Sequence, residues 1–377
     1  MAIPVVKEAP IRSRIIILDI LRGFALYGII LAHAGSVYLY ELGIKSSHLN
    51  GIDVDLKKII EILIERKFYL IFSFLFGLSF FIQLENTYHR QQSFVFKYLW
   101  RLFILFLIGL IHSLLYPFDI LRVYALTGIL LLPIKNLTSN KLLSLAIVLF
   151  ISGCLFLHFN GHIKESLSTF KFQKIDVSAT FSQQIASGHL FTILSLFILG
   201  LWAGKKEIFR TNGVNLFFFK SIFLISLISL ILLKAGSQLQ NFHFLSFHFL
   251  NMSLTNISLS CLYVSTTTLF YSNFPKLKLL WKSLEVIGKM GLTNYVMQTI
   301  FFFTLFKFKH AFFAHDKLAL LIVLSNLFYL SQILFSIYWL KRFKIGPLEW
   351  VWRISTNLYK PTSSSIKGSQ LERITIK

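Results

Sequence analysis

Long apolar stretches alternate along the chain with short polar segments, and each stretch has about the length of a membrane-spanning helix. A helix needs about 20 apolar residues to cross the hydrocarbon core of a bilayer. We therefore predict an all-α, polytopic membrane helix bundle. Its ten predicted spans cover residues 15–39, 68–84, 98–116, 119–134, 142–158, 187–203, 213–233, 248–271, 288–306 and 318–340. Residues 1–360 would form a single transmembrane domain, followed by a polar cytoplasmic tail over residues 361–377.

The distribution of basic residues predicts how this bundle is oriented. Most of the 38 Lys and Arg residues lie in every second connecting segment, beginning with the segment before the first span. Because Lys and Arg accumulate in cytoplasmic loops, both termini are predicted to be cytoplasmic. Topology and contact with anionic membrane lipids also explain the net charge of +22, so no nucleic-acid partner is expected.

The first predicted span contains three ionisable residues, Asp19, Arg22 and His33. At about 100° of rotation per residue, Arg22 lies about 60° and His33 about 40° from Asp19, so all three share one side of the helix. Asp19 and Arg22 are spaced to pair with each other. One interpretation is a packing salt bridge beside a satisfied histidine. The other is a buried reaction or transport site, since ionisable residues inside membranes are usually functional.

The pattern of the first span recurs once, at an offset of 100 residues. Residues 119–131 repeat nine of the thirteen residues at positions 19–31, including the Asp and the Arg as Asp119 and Arg122. The fourth span should run opposite to the first, so the match allows an inverted repeat. Chance similarity between leucine-rich helices is the alternative, because the match does not extend into the neighbouring spans.

A second polar cluster is predicted where the third and fourth spans meet. His112 lies near the end of the third span, and Asp119, Arg122 and Tyr124 follow within a short distance along the chain. A carboxylate beside a histidine can hold one tautomer of the ring, as general-base catalysis requires. The alternative is a histidine that is hydrated at the membrane surface.

Two further features are a pair of amide side chains in the ninth span and a basic segment after the tenth span. Asn294 and Gln298 share a face of the ninth span and would either bond neighbouring helices or line the same cavity. After the tenth span, residues 341–353 combine basic residues with a Gly-Pro turn and two tryptophans. This segment would either anchor the last span at the membrane surface or contact an anionic ligand.

The chain resembles the YeiB-like membrane proteins, whose C-terminal part is a domain of unknown function. The resemblance rests on LDILRGFALYGIILAH, FSFLFGLSFF, RLFILFLIGLIHSLLYPFDILRVYALTG, GKMGLTNYVMQTI and GPLEWVWR. Family members usually have Asn at the position of His33. The LDxLRG opening is also similar to wider transmembrane acyltransferases, which include acyltransferase-three proteins and lysosomal heparan-glucosaminide acetyltransferase. In the acyltransferase-three proteins a histidine ends the same helix.

This resemblance implies a multi-pass protein of the bacterial cytoplasmic (inner) membrane. It would transfer an acyl group from cytoplasmic acyl-CoA to a glycan or lipid acceptor of the cell envelope. The cavity would be formed by the first, third, fourth and ninth spans, with His33, His112 and Asp119 as catalytic residues. The residues expected to bind substrate are Asp19, Arg22, Arg122, Tyr124, Asn294 and Gln298.

No tightly bound cofactor or metal is expected, because no metal-ligand spacing is present and Cys154 and Cys261 both lie in apolar runs. Acyl-CoA would act as a donor substrate, with membrane lipids as neighbours. The competing hypothesis is a transporter or flippase of a small anionic or lipid-linked solute. A scaffold without chemistry is the third, and the buried charges argue against it.

Overall fold

The apolar stretches fold into helices in the computed structural model. The structure describes residues 15–41, 51–89, 94–116, 119–167, 189–210, 213–239, 245–307 and 318–357. The helices in this part of the chain are α1 Ile16–Glu41, α2 Ile52–Leu63, α3 Phe68–His89, α4 Phe94–Ser113, α5 Leu121–Ile129, α6 Leu131–Ile134, α7 Ser139–Leu167, α8 His189–Lys205, α9 Leu216–Leu239, α10 Leu245–Asn273, α11 Lys278–Lys289, α12 Gly291–Lys307, α13 Leu318–Arg342 and α14 Pro347–Asn357. Two strands, β1 Phe209–Arg210 and β2 Gly213–Val214, pair antiparallel. The predicted tail over 361–377 lies outside the described residues.

Helix α1 forms the centre of one hydrophobic core and packs against α3, α11, α12 and α13. Its contact with α11 is a backbone-to-backbone approach. A Cβ atom at Gly23 would lie 2.0 Å from the carbonyl oxygen of Leu284, and one at Gly288 would lie 1.8 Å from that of Asp19. Only glycine fits both positions, so the position of α1 along α11 is fixed near the Asp19–Arg22 turn.

A second core joins α3, α4, α5, α7 and α8. Helices α3 and α8 meet at Gly77 and Gly200, where added Cβ atoms would lie 1.9 Å from the Phe197 oxygen and 2.1 Å from the Phe74 oxygen. Small residues allow helix backbones in membranes to approach this closely. Such packing stabilises the bundle, since lipid tails provide no hydrophobic drive between helices. Gly77 and Gly200 therefore set the distance between α3 and α8.

The helices agree with the predicted membrane bundle. Six stretches in the described part are long and apolar enough to cross a membrane: Ile16–Gly35, Ile52–Thr87, Phe94–Ser113, Ser139–Phe156, Leu216–Ser237 and Leu318–Arg342. Leu190–Lys205 is a shorter apolar helix. The predicted span over 119–134 is divided between the short helices α5 and α6. A single long helix was expected there.

Three amphipathic helices were not predicted as elements: α2, α11 and α14. Two of them cap membrane helices. The backbone N–H groups of Leu318 and Ala319, at the start of α13, donate to the buried Asp53 carboxylate of α2, both at 3.2 Å. Carboxylates at helix N-termini satisfy free N–H groups and are stabilised by the helix dipole.

Helix α14 caps α12 in the same way. Glu349 Oε1 accepts the N–H groups of Leu292 at 2.7 Å and Thr293 at 3.1 Å, and Glu349 Oε2 accepts the Thr293 hydroxyl at 2.6 Å. The same helix is joined to α4, because the Trp352 indole donates to the Arg101 oxygen at 3.1 Å. The GPLEW segment thus fixes the start of the helix that carries Asn294 and Gln298.

Candidate functional site

His112 and Asp119 form a buried pair at the end of α4. His112 Nδ1 lies 2.8 Å from Asp119 Oδ1, and the side chains are 1% and 0% exposed. The other carboxylate oxygen, Oδ2, accepts the backbone N–H of Arg122 at 3.1 Å and so caps the first turn of α5. On the far side of the ring, His112 Nε2 lies 2.8 Å from the hydroxyl oxygen of Thr299 on α12.

The chemistry of these partners determines where the imidazole proton lies. An ionised carboxylate can only accept hydrogen bonds, so His112 Nδ1 must carry the proton and donate to Asp119. In the neutral ring, Nε2 then has the free lone pair and accepts the Thr299 hydroxyl proton. This assignment follows from the hydrogen-bond partners rather than from observed hydrogens. It is the tautomer that a general base requires.

His33 is brought to the same place from α1. Its ring centroid lies 4.8 Å from that of Tyr116 and 6.1 Å from that of Tyr295. The Tyr295 ring also lies 5.0 Å from the His112 ring, so this tyrosine contacts both histidines. The first, third, fourth and ninth predicted spans thus each contribute a residue to this cluster, namely His33, His112, Asp119 and Tyr295.

Asp19 and Arg22 form a separate polar site on the other half of α1. Arg22 Nη1 donates to Asp19 Oδ1 at 2.9 Å, and Arg22 Nη2 donates to Ser79 Oγ on α3 at 2.6 Å. The Asp19 side chain is 1% exposed, whereas that of Arg22 is 27% exposed. The guanidinium is thus oriented by two groups and remains partly open. Eleven residues of helix place His33 about 16 Å further along the axis.

Arg122 and Tyr124 have different surroundings. Arg122 is buried beside Asp119, to which its backbone donates. Tyr124 instead packs into the second core, where its hydroxyl donates to the Tyr69 carbonyl oxygen at 2.8 Å and lies 2.7 Å from Ser73 Oγ. These contacts give Tyr124 a packing role between α5 and α3.

The 19–31 and 119–131 segments do not form equivalent structures. Asp19 lies inside the continuous helix α1, whereas Asp119 precedes the nine-residue helix α5. The carboxylate of Asp19 binds the guanidinium three residues ahead, while that of Asp119 binds an imidazole and a backbone N–H group. The geometry favours similarity of composition over an inverted repeat.

Asn294 and Gln298 connect helices to one another. The Gln298 amide donates to the Leu26 oxygen of α1 and to Gln332 Oε1 of α13, both at 3.2 Å. The Asn294 side-chain amide donates to Ser336 Oγ of α13 at 3.2 Å, and the Gln332 side-chain amide donates to the backbone oxygen of Asn294 at 2.9 Å. This network supports interhelical hydrogen bonding, one of the two roles expected for the pair, and it holds α12 in register.

Sequence reasoning missed Thr299, Tyr295 and Ser79. Each is separated from its partner by many residues, and hydroxyl groups are common in membrane helices. A signal for two of them was available, because Tyr295 and Thr299 lie one turn apart on the same helix, beside the polar stripe of Asn294 and Gln298. Ser79 offered no such signal.

Comparisons with known proteins agree with this architecture. Residues 14–174 match the family model described as heparan-alpha-glucosaminide N-acetyltransferase, catalytic, and residues 203–359 match the model described as protein of unknown function (DUF418). The chain is 32% identical over 362 residues to an uncharacterized 39.9 kDa protein in the amylase 3′ region of Bacillus acidopullulyticus, covering 91% of this chain and 94% of that one.

Two further relatives are also bacterial. Identity to the uncharacterized protein YxaH of Bacillus subtilis (strain 168) is 26% over 399 residues, covering 94% of this chain and 97% of that protein. Identity to the uncharacterized protein YeiB of Escherichia coli (strain K12) is 39% over 92 residues, 24% of each chain. The chain therefore belongs to the YeiB-like family of multi-pass membrane proteins, with a more distant similarity to transmembrane acyltransferases.

Proposed function

We propose that this protein transfers an acyl group from cytoplasmic acyl-CoA to a hydroxyl or amine acceptor of the cell envelope. The observation that carries the proposal is the buried His112–Asp119 pair. Nε2 of His112 carries a lone pair and lies 2.8 Å from the Thr299 hydroxyl oxygen. A histidine held in this tautomer can take the proton of an attacking acceptor. The acetyltransferase-like match over residues 14–174, which contain both residues, supports the reaction class.

The donor would bind at the other half of α1. Arg22 is oriented by Asp19 and Ser79 and is partly open, so its guanidinium is available to a phosphate group of acyl-CoA. The donor's thioester, at the end of an extended arm, would then reach along α1 toward His112 and His33. Arg122, beside Asp119, would add positive charge close to the reacting carbonyl group.

The proposal includes a bundle of ten spans in the bacterial inner membrane with both termini in the cytoplasm. Three contacts support spans that alternate in direction, because each contact joins two segments that this topology places on the same side of the membrane. Asp53 of α2 caps the start of α13, Glu349 of α14 caps the start of α12, and Trp352 of α14 donates to the Arg101 carbonyl oxygen in the first half of α4. Under this topology Arg22 faces the cytoplasmic half, and His112 lies in the outer half.

The test uses purified full-length protein in proteoliposomes. Labelled acetyl-CoA on the accessible cytoplasmic face should bind, and it should be consumed when an envelope extract supplies the acceptor. Arg22→Gln should weaken acetyl-CoA binding at least about tenfold, since a charge-assisted hydrogen bond contributes about 1.5–3 kcal/mol. The matched control is Lys58→Gln, which removes an exposed positive charge on α2, away from Arg22 and from the basic segment 341–353, and it should bind acetyl-CoA within about threefold of wild type.

The contrary result is also defined. If acetyl-CoA does not bind at millimolar concentration, and solute uptake or lipid exchange is found instead, the transporter hypothesis replaces this one. In that case Asp19→Asn and Asp119→Asn should both abolish the flux.

A further inference from the structure

Thr299 completes a hydroxyl–imidazole–carboxylate chain that the acyl-transfer proposal does not need. Its Oγ1 lies 2.8 Å from His112 Nε2, and His112 Nδ1 lies 2.8 Å from Asp119 Oδ1. The three residues come from α12, α4 and the segment before α5, and all are at least 97% buried. A base acting on a bound acceptor needs only His112 and Asp119. The hydroxyl of the protein itself occupies the position of the proton donor.

This arrangement is the one that activates a nucleophilic hydroxyl group. The hydroxyl is within hydrogen-bond reach of a base, and a third group orients the base. Such chains are recognised by geometry and by the role of each member rather than by sequence order. Because Nδ1 must donate to Asp119, the Thr299 proton points at Nε2, which leaves an oxygen lone pair free to attack.

We propose that Thr299 carries the acyl group as a covalent ester between donor and acceptor, an inference that rests on the acyl-transfer function proposed above. Thr299 Oγ1 attacks the thioester carbonyl carbon while His112 Nε2 takes the hydroxyl proton. The carbon–sulfur bond breaks, and the leaving sulfur takes that proton from Nε2 as free CoA thiol. In the second half, the acceptor attacks the threonyl ester, passes its proton through Nε2 to Thr299 Oγ1, and leaves acylated.

The surroundings suit an ester that must survive until the acceptor arrives. The Thr299 side chain is buried, and the Tyr295 ring packs beside His112 with the two ring centroids 5.0 Å apart. Exclusion of water prevents hydrolysis of a reactive intermediate. A covalent carrier also lets the two substrates visit the site in turn, so the donor can leave before an envelope acceptor enters.

The experiment needs no knowledge of the acceptor. Full-length protein in lipid nanodiscs is incubated with acetyl-CoA and radiolabelled CoA alone, and the label appearing in acetyl-CoA is measured. A covalent carrier catalyses this exchange, whereas direct transfer to an acceptor cannot. Intact-protein mass spectrometry should show one added acetyl group, and peptide mapping should locate it on the peptide containing Thr299.

Variants separate the nucleophile from its surroundings. Thr299→Val keeps the side-chain shape without the hydroxyl and should reduce exchange at least about a hundredfold. Thr299→Ser keeps the hydroxyl and should retain exchange and labelling on serine. Two threonines serve as controls and should leave exchange within about threefold when changed to valine: Thr304, exposed on the same helix, and Thr268, buried on α10 with its hydroxyl bonded to its own helix.

Each outcome decides between the two proposals. Acetyl-CoA consumption with envelope extract, but no exchange and no acetylated protein without it, overturns the Thr299 carrier and leaves acyl transfer standing. The Thr299 carrier is also overturned if Thr299→Val consumes acetyl-CoA, with envelope extract present, at the wild-type rate. If wild-type protein neither binds acetyl-CoA nor becomes acetylated, both proposals fail.

Discussion

The substitution Asp119→Asn tests the imidazole tautomer on which the proposed chemistry depends. Asparagine has the shape of aspartate but offers one acceptor and one NH₂ donor. Its oxygen can still accept the Arg122 N–H, while its NH₂ group faces His112 Nδ1 at the distance now held by Oδ1. Nδ1 must then accept, the proton moves to Nε2, and the lone pair facing Thr299 is lost.

The effects on stability and activity should therefore differ greatly. Both hydrogen bonds are kept, so only the difference between charge-assisted and neutral bonds is lost, about 1–2 kcal/mol of unfolding free energy. The base, in contrast, is removed. General-base catalysis is worth about 10²–10⁴ in rate, and the same substitution in a serine-protease triad costs about 10⁴. We expect acyl transfer and CoA exchange to fall at least about a hundredfold in a folded protein.

Asp53→Asn is the matched control, because Asp53 is also a buried aspartate that accepts backbone N–H groups at a helix start. It should cost a comparable amount of stability and leave activity within about threefold. Thermal unfolding in detergent and exchange rates are measured for both variants. If Asp119→Asn is as active as Asp53→Asn, or if nitrogen NMR finds Nε2 unprotonated in it, the tautomer argument is refuted.

Three further predictions concern stability and topology. Glu349→Ala removes the cap of α12 and should lower the free energy of unfolding by about 1–2 kcal/mol. The control Glu285→Ala breaks an ion pair with Lys289 on α11 and should lower it by less than about 1 kcal/mol. Equal Tm shifts for the two variants would contradict the capping role. Arg22→Ala should lower the free energy of unfolding by about 2–4 kcal/mol, because it removes the guanidinium bound to the buried Asp19. Adding Asp19→Asn should restore part of that loss. If the effects of the two substitutions simply add, the pair does not interact. Reporter fusions after Arg210 and at the C-terminus should be cytoplasmic and an insertion at Lys57 external, and a cytoplasmic Lys57 would reject the proposed topology.

The membrane bundle could be predicted because apolar length is a local property of the sequence. The pairing of His112 with Asp119 was also accessible, since only seven residues separate them and the chain must turn between two helices. The Asp19–Arg22 pair follows from helical spacing. In each case the partners are neighbours along the chain, so no tertiary information is needed.

The rest depends on contacts between distant parts of the chain. The caps of Asp53 and Glu349 act on helices more than fifty residues away, so their sequences show only short amphipathic segments. The division of the fourth span, in contrast, has a local cause that the sequence contains. Helix α5 ends at Ile129, and Pro133, four residues later, has no N–H to donate to the Ile129 carbonyl group.

The position of Thr299 shows why these distant contacts matter to the chemistry. A shift of α12 by one residue would rotate its side chains by about 100° and move the Thr299 hydroxyl away from His112. Glu349 holds the start of α12, and Gln298, one residue before Thr299, is bonded to both α1 and α13. The polar residues that looked like candidate ligands in the sequence thus fix the rotation of the helix. A 2.8 Å contact between a hydroxyl and an imidazole on different helices requires this degree of register.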